Sequence, residues 1–218
     1  MSDAEQRLAD VQAGLNRACR DAARTENPLL VAISKTFDAD AIRPLIAAGQ
    51  RHFGENRVQE AQAKWPAMMA ETPGITVHLV GQLQSNKAAE AVALFDVIHS
   101  VDRPSLVTAL GKAQAAAGKH PACYLQVNIG DEEQKGGCAL SDLPALLAQA
   151  REAGLNVVGL MCVPPAAVEP APYFALLAEH AKRLGLAGLS MGMSSDYETA
   201  ALLGSTVVRV GSALFGSR

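Results

Sequence analysis

Short apolar runs that suit buried strands alternate with longer helix-like runs along almost the whole chain. The apolar runs predict eight strands, at residues 29–34, 51–54, 75–80, 96–101, 121–128, 156–161, 187–191 and 206–210. The runs between them predict helices, near residues 39–48, 57–70, 86–94, 104–117, 141–153, 171–184 and 196–203. Strands that alternate with helices pair in parallel through crossover connections. The pattern therefore predicts an α/β fold, a single closed (β/α)8 barrel of the TIM type, with an open doubly wound sheet as the alternative.

An extra amphipathic helix precedes the first strand. Apolar residues recur at three- and four-residue steps between residues 3 and 24, and Asn27-Pro28 ends the pattern. We expect residues 1–25 to form this N-terminal helix and to pack on the barrel. The 218 residues contain no Pro- or Ser-rich linker, and barrels of this length form one unit. We therefore predict one domain, residues 1–218.

Charge and composition exclude several classes of partner. A net charge of −3 gives no electrostatic footprint for nucleic acid or an anionic membrane surface. The polar start is unlike a signal peptide, and no apolar run is long enough to span a bilayer. We expect a soluble, cytoplasmic protein that acts as a monomer.

The sequence shows no metal-binding pattern. The four cysteines are far apart without a CxxC pair, which indicates buried thiols in a reducing compartment. His52, His78 and His99 fall in or beside strands without the spacing of metal ligands, so we interpret them as core or rim residues.

Lys35 directly follows the first apolar strand. In a barrel of this type, chemistry lies at the carboxyl ends of the strands. Burial there would favour the neutral amine, which can attack an aldehyde. The alternative is that Lys35 only marks the strand end and keeps its ammonium group in water.

Two loops carry groups that suit a phosphate. Ser190–Ser195 and Gly211-Ser212 follow the seventh and eighth strands, where barrels frequently bind phosphate. Glycine lets the backbone approach an anion, and hydroxyls and free N–H groups at a helix N-terminus donate to it. Ordinary turn and cap chemistry accounts for part of these residues in any barrel.

Arg209 lies in an otherwise apolar strand, Val207–Val210. A guanidinium keeps its charge, so a buried one needs a fixed acceptor. In a closed barrel the eighth strand neighbours the first, and an inward Arg209 would share a cavity with Lys35. We favour this arrangement over an outward arginine that pairs with a helix carboxylate.

The order of several motifs resembles one family, the pyridoxal phosphate homeostasis proteins, which are similar to the N-terminal barrel of bacterial alanine racemase. The resemblance runs from about Leu15 to Arg218. The motifs that carry it are Val31–Thr36, Phe53–Asn56 with Val58–Glu60, His78–Gly81 with Leu83–Lys87, His99–Asp102, Gln126–Asn128 with Lys135 and Gly137, Gly159–Met161, Leu189–Ser194, and Arg209–Ser212 with Phe215–Gly216.

The resemblance implies that pyridoxal 5′-phosphate (PLP) is bound as an internal aldimine on Lys35. It implies further that Asn56 lies at the edge of the cofactor and that Arg209 faces the pyridine nitrogen. The residues that match the phosphate-binding segments are Ser190, Gly192, Gly211 and Ser212. Lys135 matches a second family lysine to which we assign no role.

Three functions remain open on these residues. The first, which we favour, is a PLP carrier or buffer in vitamin B6 homeostasis that serves apo forms of PLP enzymes without efficient turnover. The second is a PLP-dependent amino-acid racemase of low activity. We expect the chain to lack the second domain and the catalytic tyrosine of alanine racemase, which argues against this. The third is an aldolase that uses Lys35 without a cofactor.

Overall fold

Eight parallel strands form a closed barrel in the computed structural model, which describes residues 2–166 and 168–216. The strands are β1 (Leu29–Ile33), β2 (His52–Glu55), β3 (Thr76–Leu79), β4 (Val97–Val101), β5 (Ala122–Val127), β6 (Asn156–Cys162), β7 (Gly188–Ser190) and β8 (Val207–Val210). Each strand pairs with its neighbour in sequence, and β1 pairs with β8. The predicted barrel is therefore confirmed, and the open sheet is wrong.

Helices cover the outside of the barrel. Within the described residues they are α1 (Asp3–Asp21), α2 (Ala39–Ala47), α3 (Val58–Glu71), α4 (Ala88–Leu94), α5 (Pro104–Ala117), α6 (Leu143–Glu152), α7 (Ala171–Arg183), α8 (Tyr197–Leu202) and α9 (Ser212–Phe215). The pattern did not predict α9 or a 3-10 turn at Ser85–Lys87, because three or four residues are too few to show a helical period. Of the helices described, none is long and apolar enough to cross a membrane.

The N-terminal helix packs on the barrel. Its buried residues Leu8, Val11 and Leu15 join the apolar layer between strands and helices, and it lies against α8 and α9. Helix α1 ends earlier than residue 24, and Ala23 beyond it has a φ of 53°. Its last turn thus passes into a backbone conformation that a helix does not contain.

Within the part of the chain that the structure describes, the barrel contains two apolar clusters, one outside and one inside the ring of strands. The larger one lies between the strands and the surrounding helices and includes Phe53 and Trp65. A smaller cluster contains Val31, Tyr124, Met161 and Val207. Because side chains alternate along a strand, Val208 and Val210 join the outer layer. Val207 and Arg209 then share the opposite face of β8, which is the inner one.

Candidate functional site

A cavity of about 450 Å³ lies at the carboxyl ends of β1, β7 and β8. The end of a parallel barrel at which strands lead into helices is where loops of different strands meet. The residues that line the cavity are Ile33, Lys35, Phe37, Met193, Ser194, Ser195, Arg209, Gly211, Ser212 and Gly216. An amine, a guanidinium and several hydroxyls therefore meet around one space.

Lys35 lies at the mouth of this cavity and is exposed. Of the two alternatives left open by the sequence, the exposed position beyond the strand end is the one observed, because β1 ends at Ile33. Thr36 has a φ of 66°, which is unusual for a β-branched residue. The bend at Thr36 follows Lys35 directly and so helps to set the course of the backbone that carries the lysine.

A second lysine holds the backbone on both sides of Lys35. The Nζ atom of Lys64 donates to the carbonyl oxygens of Ser34 at 3.0 Å and Phe37 at 2.9 Å. The carboxylate of Glu60 accepts from the backbone N–H of Thr36. These contacts fix the residues around Lys35 while its own side chain stays at the cavity.

Glu55 connects this segment to the interior. Its Oε1 atom accepts from Ser34 Oγ at 2.7 Å and from Trp65 Nε1 at 3.0 Å, and lies 2.7 Å from Lys64 Nζ. Glu55 is fully buried, and its Oε2 atom has no hydrogen-bond partner among the residues described. The paired lysine and the two donors are the compensation that a buried carboxylate requires.

Arg209 points into the barrel, as favoured from the sequence. It is 4% exposed; its Nη1 donates to Ser190 Oγ at 2.6 Å and its Nη2 to the carbonyl of Cys162 at 2.9 Å. Burial lowers the pKa of the guanidinium from its ordinary value, although a guanidinium in a protein stays protonated. A fixed, desolvated cation therefore forms part of the cavity.

The loops after β7 and β8 bond to each other. The Oγ atom of Ser194 accepts from the backbone N–H groups of Gly211 at 3.1 Å and Ala213 at 3.4 Å. Phe37 stacks on Phe215 with a centroid distance of 4.4 Å and so connects these loops to the segment after β1. The cavity wall is thus built from three loops that hold one another.

Known proteins match this chain over all or nearly all of its length. The family described as alanine racemase, N-terminal domain, matches residues 11–218. The pyridoxal phosphate homeostasis protein of Pseudomonas aeruginosa is 41% identical over 226 residues, which cover 100% of this chain and 97% of the relative. The chain belongs to the pyridoxal phosphate homeostasis protein family.

Solved structures agree with this membership. PipY of Synechococcus elongatus PCC7942, with PLP bound, is 40% identical with a TM-score of 0.84, covering 98% of this chain and 100% of PipY. Alanine racemase of Clostridium difficile 630 has a TM-score of 0.71 and covers 97% of this chain, but only 57% of the racemase. At 12% identity the racemase shares the fold alone.

Four of the seven site residues predicted from the sequence line the cavity: Lys35, Arg209, Gly211 and Ser212. Ser190 is fully buried beneath it, where its hydroxyl accepts from Arg209 and contacts Nδ1 of His99 at 2.8 Å. Gly192 supplies backbone, since its carbonyl accepts from the N–H of Arg209 at 2.9 Å. Asn56 follows β2, partly buried, and is not among the lining residues. A direct role of these three toward a cofactor stays a prediction.

Sequence reasoning marked the loop 190–195 but missed six individual lining residues: Ile33, Phe37, Met193, Ser194, Ser195 and Gly216. Met191 and Gly192, which follow β7, still form backbone hydrogen bonds with β8, and the next three residues, 193–195, line the cavity. Among the described residues, no three His, Cys, Asp or Glu side chains are placed to hold a metal ion. The four cysteines are buried and unpaired, as interpreted from their spacing.

Proposed function

We propose that this chain binds PLP covalently through Lys35 and acts as a carrier or buffer of the cofactor in vitamin B6 homeostasis. The observation that carries the proposal is the meeting of Lys35 and buried Arg209 at one cavity that is also lined by three serine hydroxyls. A lysine that bonds the aldehyde and an arginine or carboxylate at the pyridine nitrogen are the protein groups that PLP sites use.

The donor set fits each part of PLP. The amine of Lys35 would bond the aldehyde, and the guanidinium of Arg209 would face the pyridine nitrogen. The hydroxyls of Ser194, Ser195 and Ser212 suit the phosphate, because hydroxyl and backbone donors bind its oxygens strongly. A volume of about 450 Å³ lies within the range of small-molecule sites. Bound PLP supplies a reactive aldehyde that bonds the amine reversibly.

The same residues argue against efficient amino-acid turnover. Racemisation by two bases needs proton donors and acceptors on opposite faces of the substrate. Among the described residues that line the cavity, Lys35 is the one side chain that could act as a base, since Arg209 keeps its charge. Arg209 beside the pyridine nitrogen would also disfavour its protonation, which would make the ring a weaker electron sink.

The relatives support this assignment. The curated relatives carry the name pyridoxal phosphate homeostasis protein, and PipY binds PLP in its solved structure. We propose further that this chain acts as a monomer in the cytoplasm, that apo forms of PLP enzymes receive the cofactor, and that residues 1–218 form the single binding domain. In this proposal Asn56 lies at the edge of the cofactor, Ser190 holds Arg209 beneath the cavity, and Gly192 contributes its backbone carbonyl, which accepts from the N–H of Arg209.

The test of PLP binding is chemical trapping. The purified protein is loaded with PLP, reduced with borohydride and mapped by peptide analysis. We expect the label on the peptide that contains Lys35, and we expect Lys35→Ala to lose the visible absorbance while staying folded. Lys87→Ala, which changes a lysine outside the cavity, is the matched control. A label on Lys87 or Lys135, or a colourless protein that still cleaves sugar phosphates, would contradict the proposal.

The test of the carrier role uses two assays on the loaded protein. We expect it to reactivate an apo form of a PLP enzyme, and we expect no racemisation of D- or L-amino acids at an ordinary enzyme rate of about 1 s⁻¹ or faster. Racemisation at such a rate would establish the racemase instead. Failure to reactivate any apo-enzyme in a panel would remove the carrier role but leave PLP binding intact.

A further inference from the structure

Three histidines form a continuous hydrogen-bonded chain through the inside of the barrel. Nδ1 of His52 lies 3.1 Å from Nε2 of His78, and Nδ1 of His78 lies 3.0 Å from Nε2 of His99. Nδ1 of His99 lies 2.8 Å from Ser190 Oγ, which accepts from Arg209 at 2.6 Å. No short sequence motif joins these residues, since they come from β2, β3, β4, β7 and β8.

This hydrogen-bonded chain of side chains runs from one end of the barrel to the other. His52 begins β2 and lines a depression of about 530 Å³ at the amino ends of the strands, together with Gln12, Asn16 and Arg51. His78 and His99 are buried, and Ser190 and Arg209 lie under the cavity that holds Lys35. One end of this hydrogen-bonded chain is therefore open to water, and the other lies at the cavity lined by Lys35.

Arg209 favours one direction for the protons in the hydrogen-bonded chain. A guanidinium can only donate, so Ser190 Oγ accepts from Arg209 and is free to donate its own proton to Nδ1 of His99. His99 then carries its proton on Nε2 and donates to Nδ1 of His78. By the same logic His78 is protonated on Nε2 and donates to His52. Neutral histidines satisfy this order throughout, with the Nε2–H of His52 facing the outer depression.

Burial keeps the inner histidines neutral. It lowers the pKa of His78 to about 3, helped by nearby His52, and holds the pKa of His99 well below its ordinary value, helped by His78 and Arg209. Tyr124 from β5 stacks on His99 with a centroid distance of 4.6 Å, and burial raises the pKa of that phenol. The ring therefore adds no charge to the chain at ordinary pH.

His52 is the member that protonates first. Partial burial lowers its pKa, while the carboxylate of Asp96 opposes the shift. Asp96 is itself 3.4 Å from Lys119 Nζ, which weakens its pull.

Protonation of His52 reverses the hydrogen bonds of this chain by proton transfers along the three histidines. His52 takes the Nε2 proton of His78 at its Nδ1, His78 takes the Nε2 proton of His99 at its Nδ1, and His99 takes the hydroxyl proton of Ser190 at its Nδ1. Ser190 takes up one proton from the cavity side, and its oxygen then accepts from both Arg209 and His99.

We propose that His52, His78 and His99 are positioning residues that form a proton relay between water at the amino end of the barrel and the Ser190–Arg209 pair at the cofactor. Protonation of His52 reverses the relay, weakens the bond that orients Arg209 and lowers the affinity for PLP. The inference rests on the proposed PLP site for its consequence, but the relay itself is a property of the protein without cofactor.

The relay is tested first without PLP, by nitrogen NMR of the histidine rings. At about pH 8 we expect all three rings to carry their proton on Nε2. As His52 is titrated below about pH 6.5, we expect His78 and His99 to change to the Nδ1–H form in the same transition. If His78 and His99 keep their tautomer while His52 becomes protonated, the relay is wrong.

The consequence for PLP is tested with His52→Gln, which keeps an acceptor for His78 but does not titrate. We expect wild type to lose about tenfold more affinity for PLP than His52→Gln between about pH 8 and about pH 5.5, the loss of one hydrogen bond to a charged group. His120 is an exposed histidine that is not part of this hydrogen-bonded chain, so the His120→Gln variant should behave like wild type. Equal pH dependence in His52→Gln and wild type would overturn the coupling. A wild type that binds no PLP at any pH would instead refute the proposed function and leave the NMR result to decide the relay.

Discussion

The Nζ atom of Lys64 lies 2.7 Å from Oε1 of Glu55, directly behind the backbone that carries Lys35. The side chain of Glu55 is fully buried and that of Lys64 is 9% exposed. The same Nζ atom also bonds the carbonyl oxygens of Ser34 and Phe37. One buried ion pair therefore holds the exposed amine of the site from behind.

We expect Lys64→Met to lower the free energy of unfolding by about 3–5 kcal/mol, because it leaves Glu55 buried without its cation. It should also slow the covalent capture of PLP, since the segment around Lys35 loses two anchors. Urea denaturation and the rate of absorbance change measure the two effects. Lys112→Met, which alters an exposed lysine, is the control and should change stability by less than about 0.5 kcal/mol. An equally small effect of Lys64→Met would show that the pair does not hold the segment.

Ser212→Ala should weaken PLP binding by about tenfold or more, since a hydrogen bond to a charged phosphate contributes about 1.5–3 kcal/mol. The Kd follows from absorbance titration. Ser105→Ala, which removes an exposed hydroxyl on α5 outside the cavity, should leave the Kd unchanged. Pyridoxal without phosphate should bind far more weakly than PLP. Equal affinity for the two would place the phosphate outside this loop.

Gly192 and Gly49 offer a matched pair, because both have a φ of 97°. A Cβ at Gly49 would meet nothing within 4 Å, whereas one at Gly192 would lie 2.6 Å from Cβ of Ala200. Gly49→Ala should therefore cost only backbone strain, about 1–2 kcal/mol. Gly192→Ala should cost about 1–3 kcal/mol more through overpacking, and it should weaken PLP binding by displacing residues 193–195. Thermal unfolding of both variants checks this, and equal losses would exclude the contact with Ala200.

Acid should destabilise the protein partly through His78. Its pKa is about 3 in the folded protein and near 6.5 when unfolded, so between these values only the unfolded chain takes up the proton. Stability is thus complete above about pH 6.5 and falls toward pH 3, by up to about 1.4 kcal/mol per pH unit from this residue. His78→Gln should reduce the slope of unfolding free energy against pH by that amount. His120→Gln should not, and an unchanged slope in His78→Gln would mean that His78 is protonated in the folded state.

The order of elements was readable from the sequence because it depends on local periodicity. Each predicted strand overlaps an observed one, and Lys35 lies beyond the end of β1 as its place after an apolar run indicated. Strand and helix periods are set by the backbone within a few residues of each position. The motif order likewise predicted the family that the relatives establish.

The contacts that complete the site were decided only by the tertiary structure. Pairing of β1 with β8 closes the barrel and brings Val31 beside Arg209 across most of the chain. The side of β8 on which Arg209 lies, the burial of Ser190 beneath the cavity and the chain from His52 to His99 all depend on how distant strands are staggered. Alternation along one strand gives two faces but not which face turns inward. Closure of the whole sheet makes that choice, because only one face of each strand can pack against the helices.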